Sequence, residues 1–447
     1  MNIEINDTIV AIATASGVGS IAIVRVSGKN SLQIALKISQ REQLEPRYTT
    51  LSQLYDKKNE LIDVGLVIYF KNPNSFTGED IVEFQCHGGV SIANLVLNAC
   101  IDFGARIANP GEFSKRAFLN GKIDLTQAQA ISKMIEAKSE DAVKLLARQL
   151  KGELKEFVDE IKEDLLFMLA YTEVSIDYAT EDLPDDIYKQ IKNKLERIKM
   201  KLIDTLASSK RREGMIEGFK VAIIGKPNVG KSSLLNKLLN YNRAIVSSIA
   251  GTTRDTIEEN IKIGTHIIKI VDTAGIREAS DEIEKIGIEK SMDAISEADI
   301  AIALFDNNKP FEDEDQIILN LLDKIEHKII VKTKVDLEQN LEDDKLLNPS
   351  ISINTKDNIN DLIDALEDIL NKNTHDNNIT LISKQQVSFV EQTLNDIIKS
   401  FDPLQSGELE FFAYHINEAL ENISNITRPY EHSQMLDVMF GEFCLGK

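Results

Sequence analysis

Gly225-Lys226-Pro227-Asn228-Val229-Gly230-Lys231-Ser232 is the stretch from which the fold of this chain can be read. It follows an apolar run, Phe219 to Ile224, that reads as a buried strand. It precedes Ser233-Leu234-Leu235-Asn236-Lys237-Leu238-Leu239, whose apolar residues recur at helical spacing. Strand, glycine loop and helix in that order make a phosphate cradle. The glycines let backbone N–H groups turn inward around a phosphate chain, and the helix N-terminus adds a partial positive charge. In such a loop Lys231 reaches the β- and γ-phosphates and Ser232 offers its hydroxyl to Mg²⁺. The plainer alternative is a tight glycine turn with no ligand, and it leaves the motifs downstream without a reason.

From Val221 to about Asn373 the chain alternates strand and helix, with apolar strands at Val221 to Ile224, Ile267 to Val271, Ile300 to Phe305, Ile329 to Val331 and Ile351 to Ile353. This alternation predicts a doubly wound, largely parallel, Ras-like sheet. The ends of its strands carry the rest of a nucleotide site. Gly251-Thr252-Thr253-Arg254-Asp255 supplies a threonine that can close over the γ-phosphate and Mg²⁺. In Asp272-Thr273-Ala274-Gly275, Asp272 can hold the Mg²⁺ shell and the Gly275 N–H can sense the γ-phosphate. In Thr333-Lys334-Val335-Asp336 the Asp336 carboxylate can accept from the N1–H and 2-amino group of guanine, which adenine cannot donate. Each loop alone is weak; their order and spacing behind the glycine loop are those of a GTPase. Thr333 stands where most such proteins have Asn, and its hydroxyl can still tie this loop to the glycine loop. The last base-contact loop, Ser352-Ile353-Asn354, differs from the usual Ser-Ala-Lys, and a backbone contact to the guanine oxygen does not depend on those side chains. Ile276 follows Gly275 where Ras-like enzymes place a water-orienting Gln, and an Ile side chain cannot polarise water. A carboxylate among Glu278, Asp281, Glu282 and Glu284 can act through a bridging water, or these are exposed acids favoured by a helix dipole.

The other segments read more coarsely. At 447 residues the chain has room for two or three domains. Residues 1–120 mix strand candidates (Thr8 to Ala13, Ser20 to Ser27, Val64 to Phe70, Asp80 to Cys86) with a helix over Val90 to Phe103, which predicts an α+β domain. Long amphipathic helices follow over residues 121–217, with Ile187 to Leu206 the last before a linker from Arg211 to Gly218. Helical periodicity returns over 374–447, so the nucleotide domain, 218–373, reads as an insertion into a discontinuous helical domain. Cys86, Cys100 and Cys444 are too scattered for a disulfide framework or a zinc site. No run approaches the roughly 20 apolar residues of a membrane span, and Met1-Asn2-Ile3-Glu4 does not open a signal peptide, so a cytoplasmic location is expected, with no membrane partner. With 72 acidic against 51 basic residues the net charge is −21, so nucleic acid is repelled at long range. DNA is not an expected partner. RNA contact would need a local basic patch, and the densest triplet is Lys210-Arg211-Arg212, with Lys115-Arg116 second. Both read more readily as solvated surface or as the last turn of a helix.

The chain resembles the MnmE (TrmE) family of tRNA wobble-uridine-modifying GTPases over essentially its whole length. The resemblance is carried by Asp7-Thr8-Ile9, Ile23-Val24-Arg25-Val26-Ser27-Gly28, Phe76-Thr77-Gly78-Glu79-Asp80 and Cys86-His87-Gly88-Gly89. It continues through Pro110-Gly111-Glu112-Phe113, Arg116-Ala117-Phe118-Leu119-Asn120-Gly121-Lys122 with Asp124-Leu125, the run Asp272 to Ile288, and Phe443-Cys444-Leu445-Gly446-Lys447. It implies an N-terminal dimerisation domain that binds a tetrahydrofolate one-carbon donor, in its 5,10-methylene or 5-formyl form, with Arg25, Glu83, Lys122 and Lys447 lining the pocket. It implies GTP contacts at Asn228, Val229, Gly230, Lys231, Ser232 and Ser233. Further contacts would come from Ser247, Ser248, Ile249, Ala250, Gly251, Thr252 and Thr253, from Asp272, Thr273, Ala274 and Gly275, and from Thr333, Lys334 and Asp336. Mg²⁺ would be held by Ser232 and Thr253, and K⁺ by Asn228, Ser247, Ile249 and Thr252, in the place of the missing arginine finger. Glu284 matches the family's water-orienting carboxylate, and Glu284, Lys231 and Cys444 would be catalytic, Cys444 in the modification step. Two places depart from the family pattern: Ala15-Ser16-Gly17-Val18-Gly19-Ser20 lacks the usual prolines and basic residue, and Ser247 replaces Thr. The activity implied is K⁺-stimulated GTP hydrolysis by a homodimer. With the FAD-containing partner MnmG, as a heterotetramer, it would form a carboxymethylaminomethyl or aminomethyl group at C5 of the tRNA wobble uridine. Two rivals stand beside it: an RNA-binding or ribosome-assembly regulatory GTPase without modification activity, and a folate-dependent one-carbon enzyme in which GTP only regulates assembly.

Overall fold

The computed structural model describes residues 7–15, 17–137, 139–177, 185–242, 260–271, 298–323, 325–342, 350–352, 359–372 and 379–428, together with 295, 346 and 440. The chain forms two compact units. One comprises Met1–Ile135, Gln149–Lys189 and Asn395–Lys447, the other Glu136–Arg148 and Gln190–Leu394.

The first unit opens with β1 (Ile9–Ile12), β2 (Ile21–Ser27), α1 (Ser31–Ser39), β3 (Thr50–Tyr55), β4 (Leu61–Phe70), β5 (Ile81–His87), α2 (Val90–Asp102), β6 (Arg106–Ile107) and α3 (Glu112–Leu119). Its sheet runs β3-β4-β5-β2-β1-β6, antiparallel except for the β1–β6 pair. Period-two alternation sends Val24, Val26, Val82, Phe84 and Val67 to one face, where Ile34 and Ile38 of α1 and Val96 of α2 cover them. The opposite face carries Arg25 beside Glu83, in register across β2 and β5. The α+β expectation holds, with β1, β2, β4, β5 and α2 where periodicity predicts them. Helix α1 and strand β3 are additional. The β3 sequence is an edge strand whose Leu51 and Gln53 face outward, so it lacks the apolar run that marks a central strand.

The helical region comprises α4 (Leu125–Glu136), α5 (Glu140–Leu150), α6 (Glu153–Asp177) and α7 (Asp185–Glu217). Helix α7 does not stop near Leu206: the expected linker from Arg211 onward is helix through Glu217. Its final turns are fastened to Ile379–Leu381. Ser208 Oγ donates to the Ile379 carbonyl at 2.7 Å, Leu381 N–H donates to Ser209 Oγ at 2.8 Å, and Arg212 donates to Thr380 Oγ1 at 2.6 Å. Arg212 is therefore buried, and the Lys210-Arg211-Arg212 triplet is not one exposed basic patch. Lys115-Arg116 fails the same test, because Arg116 is fully buried.

The second unit continues with β7 (Phe219–Gly225), α8 (Lys231–Asn242), β8 (Asn260–Ile263), β9 (His266–Val271), β10 (Ile300–Asp306), α9 (Asp313–Leu322), β11 (His327–Thr333), β12 (Ser350–Ser352), α10 (Asn360–Lys372) and α11 (Lys384–Ser406), the last of which runs on into the first unit. The chain of described helices closes with α12 (Leu409–Ser424), which packs on α6 and buries Phe412, Ile416, Ala419 and Ile423. The sheet order is β12-β11-β10-β7-β9-β8, parallel throughout except for the β8–β9 hairpin. Val221, Ile223, Ile302 and Leu304 meet Leu234 and Leu238 of α8 and Leu362 and Leu366 of α10 on one face. Ala222, Ile224, Ala303 and Phe305 meet Leu319 and Leu322 of α9 on the other. Covered on both sides, these strands read as continuous apolar runs, which is why their positions follow from sequence. The neighbours of β7 are β9 and β10, on opposite sides, so the switch point of the sheet lies where the glycine loop leaves β7.

Gly214 inside α7 is required by packing: a Cβ there would stand 2.4 Å from the Phe219 ring. Alanine would raise helix propensity by about 1 kcal/mol, against about 1–3 kcal/mol for forcing a methyl group into a filled core. Gly214→Ala should therefore lower the thermal midpoint of the unit containing β7, followed by circular dichroism; a raised midpoint would contradict this packing.

Candidate nucleotide and pterin sites

At the carboxyl edge of the second sheet the chain turns out of β7 through Gly225 (φ +153°), passes Asn228 (φ +61°) and Gly230 (φ +112°), and enters α8 at Lys231. A Cβ at Gly225 would stand 2.8 Å from both the Leu304 carbonyl and Val229 Cγ1, so only glycine fits beside β10. Lys231 Nζ lies inside the loop, donating to the carbonyls of Gly225 at 2.6 Å and Lys226 at 2.9 Å. Burial pulls its ammonium below the ordinary lysine value. Ser232 and Ser233 lie exposed in the first turn of α8, and Asn228 is exposed at the crest of the loop.

Thr333, the last residue of β11, is buried, and its Oγ1 donates to the Val229 carbonyl at 2.7 Å. This hydrogen bond ties the glycine loop to the loop that carries Asp336. Lys334 follows with φ +55°, its Nζ 2.6 Å from Asp306 Oδ2 at the end of β10, and the Leu337 N–H donates to the Lys334 carbonyl at 3.0 Å. Asp336 is exposed on this turn. The arrangement can hold a phosphate chain at one end and a base at the other. Ser247, Ser248, Ile249, Ala250, Gly251, Thr252, Thr253, Asp272, Thr273, Ala274, Gly275 and Glu284 lie outside the described residues, as do Cys444 and Lys447.

In the first unit, Arg25 Nε donates to Glu83 Oε1 at 2.9 Å across β2 and β5. The Arg25 guanidinium carbon lies 5.8 Å from the ring centroids of both Phe76 and Phe113. The Phe76–Gly78 turn also reaches Lys122, for a Cβ at Gly78 (φ +79°) would stand 3.0 Å from Lys122 Cε. Arg25, Glu83 and Lys122 therefore gather around one turn with an aromatic wall, a setting suited to a flat, polar heterocycle with an anionic tail. Behind the turn, Ser27 Oγ donates to Glu79 Oε2 at 2.7 Å and lies 2.8 Å from Thr77 Oγ1. Buried Arg116 donates to Glu79 at 3.2 Å, to Asp7 at 2.6 Å and to Glu112 at 2.9 Å. Burial alone would raise the Glu112 carboxyl, but bonds from Arg106, the Asn109 N–H and Arg116 outweigh it and hold it below the usual carboxylate range. Sequence reading named neither the aromatic wall nor the Arg116 cluster as part of a site. The signal was present, since Phe76, Glu79, Glu112 and Phe113 all sit in short Gly-containing motifs.

A family described as GTP-binding protein TrmE N-terminus matches residues 8–122, and one described as MnmE helical domain matches residues 125–444. The tRNA modification GTPase MnmE of Aliarcobacter butzleri (strain RM4018) is 68% identical over 444 residues, 99% of each chain. The chain belongs to the MnmE family of tRNA modification GTPases. The MnmE protein of Sulfurimonas denitrificans is 58% identical, again over 99% of each chain. Among solved structures, Era of Aquifex aeolicus bound to GDP·AlF₄⁻ is similar at 24% identity and a TM-score of 0.26, over 40% of this chain and 67% of that one. The helical-domain match extends across the second sheet, as it does for a domain interrupted by an insertion. GTP binding is supported by membership of this GTPase family. Among the described residues no helix is long and apolar enough to cross a membrane.

Thr333→Val removes the hydroxyl that joins the two loops and keeps the volume. A net hydrogen bond of about 1 kcal/mol corresponds to roughly fivefold weaker nucleotide binding. Fluorescence titration with mant-GDP should show that loss for Thr333→Val and near-wild-type affinity for Thr333→Asn; equal affinity in all three would remove the tie from the site.

Proposed function

We propose that this chain is a K⁺-stimulated GTPase that acts as a homodimer with an FAD-containing partner of the MnmG type, in a heterotetramer. Together they would form the carboxymethylaminomethyl or aminomethyl group at C5 of a tRNA wobble uridine, using a tetrahydrofolate one-carbon unit. The observation that carries the reading is family membership over the full length, with both ends of a nucleotide site and a polar, aromatic-walled pocket built by the residues the family motifs name. The four-part division into 1–120, 121–217, 218–373 and 374–447 belongs to the same proposal, as does a cytoplasmic setting.

At the nucleotide site, Lys231 exchanges its two loop carbonyls for phosphate oxygens, and its partial desolvation favours that exchange. Thr333 holds the Val229 peptide in place while this happens. Asp336 selects guanine, and Lys334, braced on Asp306, shapes the same turn. Ser232 has the hydroxyl chemistry to hold Mg²⁺, with Thr253 as a second ligand and Asp272 for its water shell, and the ion would offset phosphate charge. The side-chain oxygen of Asn228, on an exposed left-handed residue, suits a hard cation such as K⁺, joined by Ser247, Ile249 and Thr252. A cation there would supply the positive charge that an arginine finger brings elsewhere. Glu284 orients the attacking water in place of the absent glutamine.

Hydrolysis would be felt in the helical region through the β8–β9 hairpin, which connects the Thr253 segment to Asp272. At its tip Thr265 Oγ1 donates to Asp141 Oδ2 of α5 at 2.7 Å, and His266 Nε2 lies 3.1 Å from Asn371 Oδ1 of α10. A shift at either end of this short hairpin reaches both helices. In the first unit, Glu83 and Arg25 would bind the pterin edge, Phe76 one of its faces, and Lys122 and Lys447 the glutamate carboxylates, with the folate supplying the carbon, while fully buried Phe113 backs the Arg25 guanidinium. Cys444 would serve the modification step. The sheet face beside this pocket leaves Ile21 60% and Leu51 61% exposed, which supports its being covered by a second copy.

Wobble-nucleoside analysis of tRNA from a strain lacking the gene, complemented with wild type or Lys231→Ala, tests the reading. Loss of the aminomethyl-type uridine, restored by wild type and not by Lys231→Ala, is expected. Unchanged modification in the deletion strain would favour a regulatory GTPase. Full restoration by Lys231→Ala would favour a folate enzyme that GTP merely regulates.

A further inference from the structure

Lys226, the second residue of the glycine loop, turns its side chain away from the phosphate cradle. Its Nζ lies 2.7 Å from Glu312 Oε2 and 2.7 Å from Asp315 Oδ2, and its side chain is only 10% exposed. Asp315, 4% exposed at the side chain, also accepts the Glu312 N–H at 2.9 Å, so the acids are fixed at the start of α9 before the lysine arrives. Meanwhile the backbone of Lys226 faces inward: its carbonyl accepts Lys231 Nζ at 2.9 Å and the Val229 N–H at 3.4 Å. One residue therefore presents its carbonyl to the catalytic lysine and its ammonium to a neighbouring helix.

The segment from Asp306 to Asp315 receives more than this contact. Asp306 takes Lys334 Nζ at 2.6 Å, and the Asn307 N–H donates to the Thr333 carbonyl at 3.0 Å. The phosphate loop and the base loop are thus braced on the same short connection between β10 and α9. The glycine loop follows no regular element between β7 and α8 and passes positive φ at Gly225, Asn228 and Gly230. An external anchor on its first arm holds the carbonyls of residues 225 and 226 where Lys231 and the phosphates need them.

We propose that Lys226 is a positioning residue for GTP binding, acting through an ion-pair staple to Glu312 and Asp315 and not through contact with the nucleotide. Burial opposes the charge on Lys226, but bonds from Asp315 and Glu312 outweigh it and raise its value, so the staple is intact across the physiological range. The proposal rests on the glycine loop binding GTP, and wild-type titration with mant-GDP checks that separately: no binding there would defeat the reading of the loop itself.

The test uses the full-length chain and mant-GDP, with GTP turnover alongside. Lys226→Met keeps the stem and removes the charge; it should weaken mant-GDP about tenfold and raise KM similarly, while kcat at saturating GTP changes less than about twofold. Lys226→Arg should recover most of the affinity, and the circular dichroism spectrum of both should match wild type. Glu312→Gln with Asp315→Asn should reproduce the loss, and adding Lys226→Met to that pair should cost almost nothing more, because the same interaction is already gone. Three results would overturn the proposal: Lys226→Met binding as tightly as wild type, an acid pair whose replacement leaves affinity unchanged, or a fully additive triple variant, which would place Lys226 on the nucleotide. Should the acid pair fail to fold, Glu312→Gln alone, at an exposed position, still has to couple to Lys226→Met.

Discussion

A buried threonine hydroxyl holds the carbonyl of a loop that has no regular structure of its own. The Thr333–Val229 hydrogen bond, 2.7 Å long and shielded from water, makes the glycine loop and the base loop one object. Without it the phosphate end is set by β7 and the base end by β11, two strands with β10 between them. Binding a nucleotide across both ends would then require ordering two loops at the moment of association, at a cost in conformational entropy. With it, the span between Lys231 and Asp336 is preset. The sheet supplies the frame for this: β7, β10 and β11 are apolar on both faces, so helices pin them from either side and their carboxyl ends cannot drift apart.

The N-terminal unit solves a comparable problem with charge. Its Phe76–Glu79 turn contributes an aromatic face and a lysine-contacting glycine, neither of which would hold a turn in place. Arg116 does so from below, fully buried and hydrogen-bonded to Asp7, Glu79 and Glu112. Removing one partner from such a cluster leaves an uncompensated buried charge, at roughly 3–5 kcal/mol. A large term of this kind is well placed beneath the proposed pterin pocket, where Arg25 and Glu83 stay partly exposed.

Much of this was legible in the sequence, and the gaps have physical causes. Strands buried on both faces announce themselves as unbroken apolar runs, as at Ile300 to Phe305. Strands β3 and β8 and helix α1 did not, being short or half exposed. Helix α7 runs on through the expected Arg211-to-Gly218 linker to Glu217, and within it the bare Cα of Gly214 leaves room for the Phe219 ring. The hydroxyl of Thr333 could be assigned a task from its place in the motif, since the need to tie two loops comes with the fold. Burial of arginine could not be read in the same way. Arg116 and Arg212 look like surface charge next to other basic residues, and only the partners brought by tertiary structure, Asp7, Glu79 and Glu112 for one and Thr380 for the other, show that each lies inside. Lys226 went unnoticed for the same reason, since Glu312 and Asp315 lie far along the chain.

The central claim is that two loops, locked together at Thr333, form a preset site for a guanine nucleotide. Competition against bound mant-GDP tests it most directly, with GDP and ADP titrated separately into the wild-type chain. Displacement by GDP at near-equimolar concentration and none by ADP at a hundredfold excess is expected, because adenine presents Asp336 with no donor where guanine offers its N1–H and 2-amino group. Displacement by ADP at the same concentration as GDP would contradict it.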